Sequence, residues 1–275
     1  MNEAVRSVDI VRVGREPAAG SDVAAVEEPL EIRLDGYSFV VTMRTPGADP
    51  DLASGFLLSE QIVHSAADIA DIRHCPPNDN ILYVTLADDA AMRAAQAMNG
   101  RRHVTTTSAC GVCGRRSIDD LMHDGRKVES TKPVGRGVIE GLPGALRSAQ
   151  RAFDQTGGLH AAGLFDPEGG LMRIAEDVGR HNAVDKVLGA ELRAGRLPLS
   201  DRILFVSGRT SFEIIQKAVM AGVPVVAAVS APSSLAIDLA RDANITLIGF
   251  VRGSTFNIYA TPERVSLEAD GHPHG

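Results

Sequence analysis

Two of the three cysteines in this chain form a C-x-x-C motif within TTTSACGVCGRRS, which runs from residue 105 to residue 117. The thiolate is the reactive form of cysteine, and nearby positive charge lowers the pKa of a thiol. Arg115 and Arg116 follow the motif directly, and GRRSIDDLMHD reads as the start of a helix, whose N-terminus carries partial positive charge. We therefore predict that Cys110 and Cys113 form a nucleophilic or sulfur-carrying site.

Three other interpretations of the motif stay open. A structural zinc site needs about four ligands, and His160 or His181 could complete a set with the two cysteines. A thioredoxin-like redox pair also opens a helix after a strand, although the order of elements that follows here does not match that fold. Finally, the cysteines could be two ordinary small residues at a helix start.

A second group of candidates consists of loops suited to binding an anion. FVSGRTSFEIIQKA, at 205–218, reads as strand, tight turn and helix, so that amide groups and hydroxyls meet at a helix N-terminus. SAPSS at 230–234 repeats the arrangement, and GFVRGS at 249–254 adds a third loop. Because parallel strands end at the same sheet edge, we predict a cleft there for a phosphorylated, nucleotide-like ligand. The candidates in the first two loops are Ser207, Gly208, Arg209, Thr210 and Ser230.

Histidines supply the third group of candidates. EDVGRHNAVDKVLGA, at 176–190, is polar where a helix is predicted to begin, and Arg180 and His181 could hold an anion or move a proton. Lys186 in the same segment is expected to be solvated. His160 lies on a predicted strand. A histidine on such an element is more often a core residue whose hydrogen bonds are made within the protein than a residue that binds a metal or a substrate.

The elements that must position these residues fall into two halves. EEPLEIRLDGYSFVVTMRT predicts a hairpin with its turn at Asp35-Gly36, and a helix is expected to follow with Asp49 as N-cap and Pro50 at its first position. Strands are predicted at 159–165, 171–175, 202–206, 223–229 and 245–250, with helices at 180–194, 211–221 and 233–242. The nearly continuous apolar strands from 202 onward indicate at least three parallel strands in a covered sheet. The Pro- and Gly-rich segment 129–144 reads as a long loop.

Composition limits the classes of protein that are possible. The chain has 275 residues, and its apolar fraction of 44% is enough to form a core. Its formal net charge of −7 argues against a basic surface for binding duplex DNA. Three cysteines are too few for a disulfide framework. No segment approaches the roughly 20 apolar residues that span a bilayer, and no signal-peptide run is present. A soluble cytoplasmic protein is expected.

Six segments, in this order, resemble the FdhD family of formate dehydrogenase accessory proteins. They are SACGVCGRRSI, TGGLHAAGLF, EDVGRHNAVDKVLG, SGRTSFEIIQKA, GVPVVAAVSAPSSLAIDLA and LIGFVRG. The resemblance extends from about Glu28 to Tyr259, and GRHNAVDK and SGRTSFE are its most specific parts.

The resemblance implies a sulfur carrier that forms homodimers. Such a carrier accepts persulfide sulfur from a cysteine desulfurase and passes it to the molybdenum or tungsten cofactor, bis(molybdopterin guanine dinucleotide), which formate dehydrogenase needs. By match to the family's motif, Cys110 is the persulfide cysteine and Cys113 its partner. Arg252 is expected to serve alone in the cofactor loop, because some relatives carry another basic residue where this chain does not. That implied loop consists of Phe250, Val251, Arg252, Gly253, Ser254 and Thr255.

We therefore predict an α/β (α+β) protein whose larger domain has the three-layer fold of cytidine deaminases, beside a smaller N-terminal α+β domain. The predicted division is a flexible tail over 1–20, the small domain over 21–107, the larger domain with the C-x-x-C motif over 108–265, and a tail over 266–275. No permanently bound metal is expected.

Two rival functions are considered. A zinc-dependent hydrolase of the deaminase type would carry H-x-E and P-C-x-x-C motifs, and this chain has neither an H-x-E nor a proline before Cys110. A non-catalytic chaperone would only hold the cofactor or the apo-enzyme.

Overall fold

The computed structural model describes residues 4–101, 126–130 and 132–267, and the side chains of 98–101 are outside the description. The predicted site cysteines Cys110 and Cys113 therefore lie outside the described residues, as does the predicted domain boundary at 107/108. Among the described residues, no helix is long and apolar enough to cross a membrane.

The N-terminal segment forms a long hairpin. Strand β1 covers Val5–Val13 and pairs antiparallel with β2, Pro17–Ala25, over nine residue pairs. The prediction of a flexible tail over 1–20 is therefore wrong for most of these residues, since their backbone groups are paired in a ladder. The sequence of this N-terminal hairpin mixes charged residues with Gly and Ala. It therefore lacks the regular alternation of apolar and polar residues from which the next hairpin was predicted.

A four-stranded sheet follows, in the order β4-β3-β6-β5. Asp35 and Gly36 adopt positive φ angles of 47° and 91° in the turn between β3 and β4, which confirms the predicted hairpin. The helix that follows is capped by Ala48 rather than by Asp49, because the Asp49 carboxylate is buried and accepts hydrogen bonds from Arg44. The elements of this half are β3 Glu28–Leu34, β4 Tyr37–Arg44, α1 Asp49–Ser59, β5 Ile69–Cys75, β6 Asn78–Leu86 and α2 Asp88–Arg101.

The second half is built on a six-stranded mixed sheet in the order β13-β12-β11-β10-β8-β9. Strands β10, β11 and β12 are parallel, as their apolar runs predicted, and β8, β9 and β13 are antiparallel to their neighbours. The strands are β7 Val134–Gly135, β8 His160–Phe165, β9 Leu171–Asp177, β10 Ile203–Val206, β11 Val225–Ala228, β12 Thr246–Arg252, β13 Thr255–Ala260 and β14 Val265–Ser266. The helices are α3 Arg136–Ala149, α4 Arg151–Thr156, α5 Arg180–Arg193, α6 Phe212–Ala221 and α7 Ser234–Asp242.

Helices cover both faces of this sheet, which gives the predicted three layers and confirms the α/β fold class. Phe205 faces α3 in one apolar cluster, whereas Leu204 and Val206 face α5, α6 and α7 in the other. The segment predicted as a loop over 129–144 contains most of α3. Its buried residues Ile139, Leu142 and Leu146 recur at helical spacing, and this periodicity outweighs the Pro and Gly content.

Helix α1 of the first half crosses α5 of the second half at very short range. A Cβ atom at Gly55 would lie 2.0 Å from the Asp185 carbonyl oxygen, and one at Gly189 would lie 1.9 Å from that of Asp51. The glycines therefore let the two backbones touch. One apolar cluster runs from the four-stranded sheet through α1 and α5 to the six-stranded sheet, so the halves share a core.

Candidate functional site

Three loops meet where the parallel strands β10, β11 and β12 end. Thr210 forms an isolated parallel bridge with Pro232. The Thr210 amide donates to the Ala231 carbonyl at 3.2 Å, and the Phe250 amide donates to the Ser230 carbonyl at 3.2 Å. The predicted convergence of these loops on one sheet edge is confirmed, and Ser207, Gly208, Arg209, Thr210 and Ser230 all belong to it.

The third loop has an irregular backbone that presents Arg252. Phe250 adopts a positive φ of 54°, and the pairing of β12 with β13 shifts register between Gly249 and Arg252. Gly253, also at a φ of 54°, makes the turn into β13. Arg252 is exposed and its guanidinium carbon lies 5.5 Å from the centre of the Phe250 ring.

The structure corrects two details of the cofactor loop that was predicted over residues 250–255. The Val251 side chain is buried in the core, so only its backbone faces the loop. Arg252 does not stand alone, because exposed Arg136 at the start of α3 donates from Nη2 to the Ser254 carbonyl at 3.2 Å. Sequence reasoning missed Arg136 because its segment was read as a loop; the helical spacing of Ile139 and Leu142 is the signal that could have found it.

His181 sits in a cluster that joins the N-termini of α5 and α6. Its Nε2 lies 3.0 Å from Ser211 Oγ and 3.2 Å from Glu213 Oε2, while the Ser211 hydroxyl donates to Glu213 Oε2 at 2.7 Å. Burial lowers the pKa of His181 to about 4 against the opposing effect of the Glu213 carboxylate, and Lys217 and Arg180 lower it further. The imidazole is therefore neutral at pH 7. Because both neighbours of Nε2 accept, Nε2 carries the proton and Nδ1 is left with a lone pair.

His160 and Arg180 both lie against Gly208. A Cβ atom at Gly208 would be 3.3 Å from His160 Nδ1 and 3.7 Å from Arg180 Cδ. Burial, followed by the Arg180 charge, lowers the pKa of His160. Arg180 Nε and Thr210 Oγ1 are buried without a hydrogen-bond partner within the described part of the chain. Unpaired buried polar groups beside an amide-rich loop are typical of a site that binds a polar ligand.

Other polar residues of the same segment are structural. Asp177 is fully buried, and its carboxylate pairs with Lys186 Nζ at 2.7 Å and accepts from the Thr45 amide at 3.1 Å. The expectation that Lys186 is solvated is wrong, since the lysine reaches into this network. Asp185 likewise pairs with Lys217 at 2.7 Å, and burial raises the pKa of Asp185 to about 6. These pairs fix α5, and with it His181, against β9 and α6.

A cavity of about 570 Å³ opens beside the loops. His160, Ser207 and Val229 line it from the sheet edge, and residues of α3 and α4 close the other side. Ser207 is held in place because its Oγ accepts from the Ala161 amide at 2.9 Å.

The described residues leave the metal interpretation untested. No group of three His, Cys, Asp or Glu side chains in the described ranges has an arrangement that could hold a metal ion. The ligands considered with His160 and His181 were Cys110 and Cys113, which lie outside those ranges. Cys75, the remaining cysteine, is partly buried at the end of β5.

The three loops at 207–211, 230–234 and 249–254, called the loop edge from here on, follow the carboxyl ends of the parallel strands. Fold and loop edge together define the class: a mixed α/β protein with loops converging at one end of its parallel strands. The profile of the FdhD/NarQ family matches residues 25–266, and the chain belongs to this family.

Relatives and a solved structure agree with this membership. The chain is 48% identical over 273 residues to the sulfur carrier protein FdhD of Nocardia farcinica, covering 94% of this chain and 95% of the relative. It is 50% identical over 255 residues to that of Streptomyces avermitilis, covering 90% of each chain. A crystal structure from Desulfotalea psychrophila, described as a formate dehydrogenase accessory protein, has the same fold with a TM-score of 0.74 at 23% identity, covering 95% of this chain and 98% of that one.

Proposed function

We propose that this protein is a sulfur carrier that takes persulfide sulfur from a cysteine desulfurase and transfers it to a molybdenum cofactor, bis(molybdopterin guanine dinucleotide), for use by formate dehydrogenase. The observation that carries the proposal is the loop edge with Arg252 and Arg136, in a chain about half identical to proteins named sulfur carriers. Metal and dinucleotide arrive together as substrate. The transfer takes place in the cytoplasm, in a homodimer.

Cys110 carries the sulfur in this proposal. Its thiolate attacks the outer sulfur of the desulfurase persulfide, which forms a persulfide on Cys110 and releases the desulfurase thiolate. Once the cofactor is bound, the Cys113 thiolate attacks the inner sulfur. That step forms a Cys110–Cys113 disulfide and releases the outer sulfur as sulfide for the metal, so two thiols are oxidised as one sulfur is reduced. A cellular thiol reductant restores the pair.

In this proposal the loop edge binds the dinucleotide cofactor. The dinucleotide carries phosphates, and guanidinium groups bind phosphate oxygens with charge-assisted hydrogen bonds. Arg209 and Arg252 are exposed at this edge, and Arg136 adds a third guanidinium beside the turn of β12 into β13. Backbone amides of the loops at 207–211 and 230–234 complete the cradle. Neutral His181 donates from Nε2 to its neighbours Ser211 and Glu213, which leaves the lone pair on Nδ1 as a hydrogen-bond acceptor for the cofactor.

The test is intact-mass analysis after incubation with a cysteine desulfurase and cysteine. We expect the wild-type chain to gain one sulfur atom, Cys110→Ser to gain none, and Cys113→Ser to gain the sulfur and keep it. Cys75→Ser is the matched control, because Cys75 lies on β5 of the other sheet, and it should behave as wild type. An unmodified wild-type chain, or equal gain in Cys110→Ser, would contradict the proposal. Full activation of formate dehydrogenase by Cys110→Ala would instead favour the non-catalytic chaperone.

A further inference from the structure

Ser211 does not play the usual role of a serine at a helix N-terminus. It is the N-cap residue of α6, yet its hydroxyl accepts no hydrogen bond from the amides of that helix. The hydroxyl instead donates to Glu213 Oε2 at 2.7 Å. Because a serine at this position normally stabilises the helix by accepting from an amide, the start of α6 loses that stabilisation in favour of a contact with one carboxylate.

The Glu213 carboxylate makes its contacts with the site rather than with the lysine one turn along its own helix. Glu213 is buried, and the oxygen that accepts from Ser211 also lies 3.2 Å from His181 Nε2. The Lys217 ammonium group bonds both oxygens of Asp185 instead. Within the described part of the chain, His181 and Ser211 are therefore the hydrogen-bonding partners of Glu213.

These contacts determine which nitrogen of His181 carries the proton. A carboxylate only accepts, so Glu213 takes the hydroxyl hydrogen of Ser211, and the Ser211 oxygen presents a lone pair to His181 Nε2, 3.0 Å away. Without the carboxylate, the hydroxyl could turn and donate to Nε2, which would place the ring proton on Nδ1. Glu213 is therefore the group that selects between the two tautomers of His181.

The second nitrogen of the ring is accessible beside the loop edge. Nδ1 has no hydrogen-bond partner among the described residues and, unlike the unpaired atoms of Arg180 and Thr210, it is not fully buried. The ring itself contacts Ser211, the last residue of the loop at 207–211. Arginine side chains at this edge, such as that of Arg209, only donate hydrogen bonds. Nδ1 therefore adds an acceptor to a group of donors.

We propose that Glu213 is a positioning residue for sulfur transfer, which holds His181 in the tautomer whose Nδ1 accepts a hydrogen bond from the bound cofactor. This inference rests on the proposed function, in which the cofactor binds at the loop edge. Glu213 does not touch the cofactor and acts only through the imidazole ring. Loss of the carboxylate would turn the acceptor at Nδ1 into a donor, which would then oppose the donor group of the cofactor.

Nuclear magnetic resonance of the full chain at pH 7, with nitrogen-labelled histidine, tests the tautomer, and the signals missing from His181→Gln identify His181. We expect wild type to carry the ring proton on Nε2, and Ser211→Ala to keep it there because the carboxylate remains. Glu213→Leu should populate the form with the proton on Nδ1, and Glu213→Gln, whose amide can also donate, should do so in part. A wild-type proton on Nδ1, or a wild-type tautomer in both Glu213 variants, refutes the proposal.

Activation of formate dehydrogenase at increasing cofactor concentration tests the consequence for transfer. With Glu213→Leu, half-maximal activation should need roughly 10-fold more cofactor, because one hydrogen bond is lost, while the maximal rate stays unchanged. Glu168→Gln is the matched control, because Glu168 is exposed in the turn between β8 and β9, at the end of the sheet away from His160. It should behave as wild type. A wild-type cofactor requirement in Glu213→Leu refutes the positioning role.

The two measurements keep this inference distinct from the proposed function. If Cys110→Ser activates formate dehydrogenase fully, the sulfur-carrier function fails, while the spectra still decide whether Glu213 selects the tautomer of His181. If the tautomer changes as expected but the cofactor requirement does not, Glu213 is refuted as a positioning residue although sulfur transfer by Cys110 stands.

Discussion

At the scale of single residues, the pKa of His181 is the property most open to measurement. The side chain is held between Ser211 and Glu213, and burial keeps its pKa near 4 despite the adjacent carboxylate. Protonation therefore favours the unfolded chain, where a histidine titrates near its ordinary value of 6.5. The stabilisation from keeping the ring neutral is fully present above about pH 6.5 and is lost as the pH falls towards 4.

Replacing His181 tests this linkage. His181→Gln has no titrating group at the position, so between pH 7 and pH 5 it should lose less stability than wild type, by roughly 2 kcal/mol. Urea unfolding of both proteins at several pH values gives the difference directly. Nearby His160 titrates in both proteins, so its contribution cancels. Parallel stability curves for the two proteins would show that the ring is not kept neutral by the fold.

At the scale of elements, the crossing of α1 and α5 sets the position of the site. Gly55 and Gly189 bring the helix backbones into contact, and α5 begins at Arg180 and His181. Buried pairs then lock the orientation: Lys217 of α6 bonds both Asp185 of α5 and Ser59 of α1. Breaking such a pair leaves an uncompensated buried charge, so the arrangement tolerates little sliding.

A methyl group at the crossing should be destabilising. Gly189→Ala forces its Cβ against the Asp51 carbonyl, and we expect a loss of about 3 kcal/mol or more in the free energy of unfolding. Gly144→Ala is the matched control, because Gly144 is exposed in α3 and its Cβ would touch nothing. That change should be neutral or stabilise by up to about 1 kcal/mol, since alanine favours helix. Equal effects of the two changes in urea unfolding would show that the helices do not touch there.

At the scale of the whole molecule, the two sheets share one apolar core. The cluster that includes Leu30 and Leu82 of the first sheet continues through Leu57 of α1 and Val187 of α5 to Leu204 of the second sheet. Hydrogen bonds cross the same boundary, as from the Thr45 backbone amide to the Asp177 carboxylate. Neither half can bury its part of this shared cluster without the other.

Unfolding should therefore be a single event. We expect one calorimetric transition, with the calorimetric and van't Hoff enthalpies in agreement, because exposing either half exposes the shared core. Urea titrations followed by far-ultraviolet circular dichroism and by tyrosine fluorescence should have the same midpoint. Two resolved transitions would mean that the halves are independent folding units.

The sequence by itself determined most of the local elements of the two halves and their order, but not the N-terminal hairpin or α3. Apolar runs between 202 and 250 predicted the parallel strands, and strand-turn-helix patterns predicted the loops after them, because these signals lie within a few residues of one another. Resemblance to a family supplied the expected sulfur chemistry. Only the tertiary structure showed that Arg136 lies beside Ser254 and that Gln150 lines the same cavity as Ser207. Only it showed that Lys186 is buried in an ion pair with Asp177. These arrangements depend on packing between segments far apart in the chain, and no local spacing of residue types encodes such contacts.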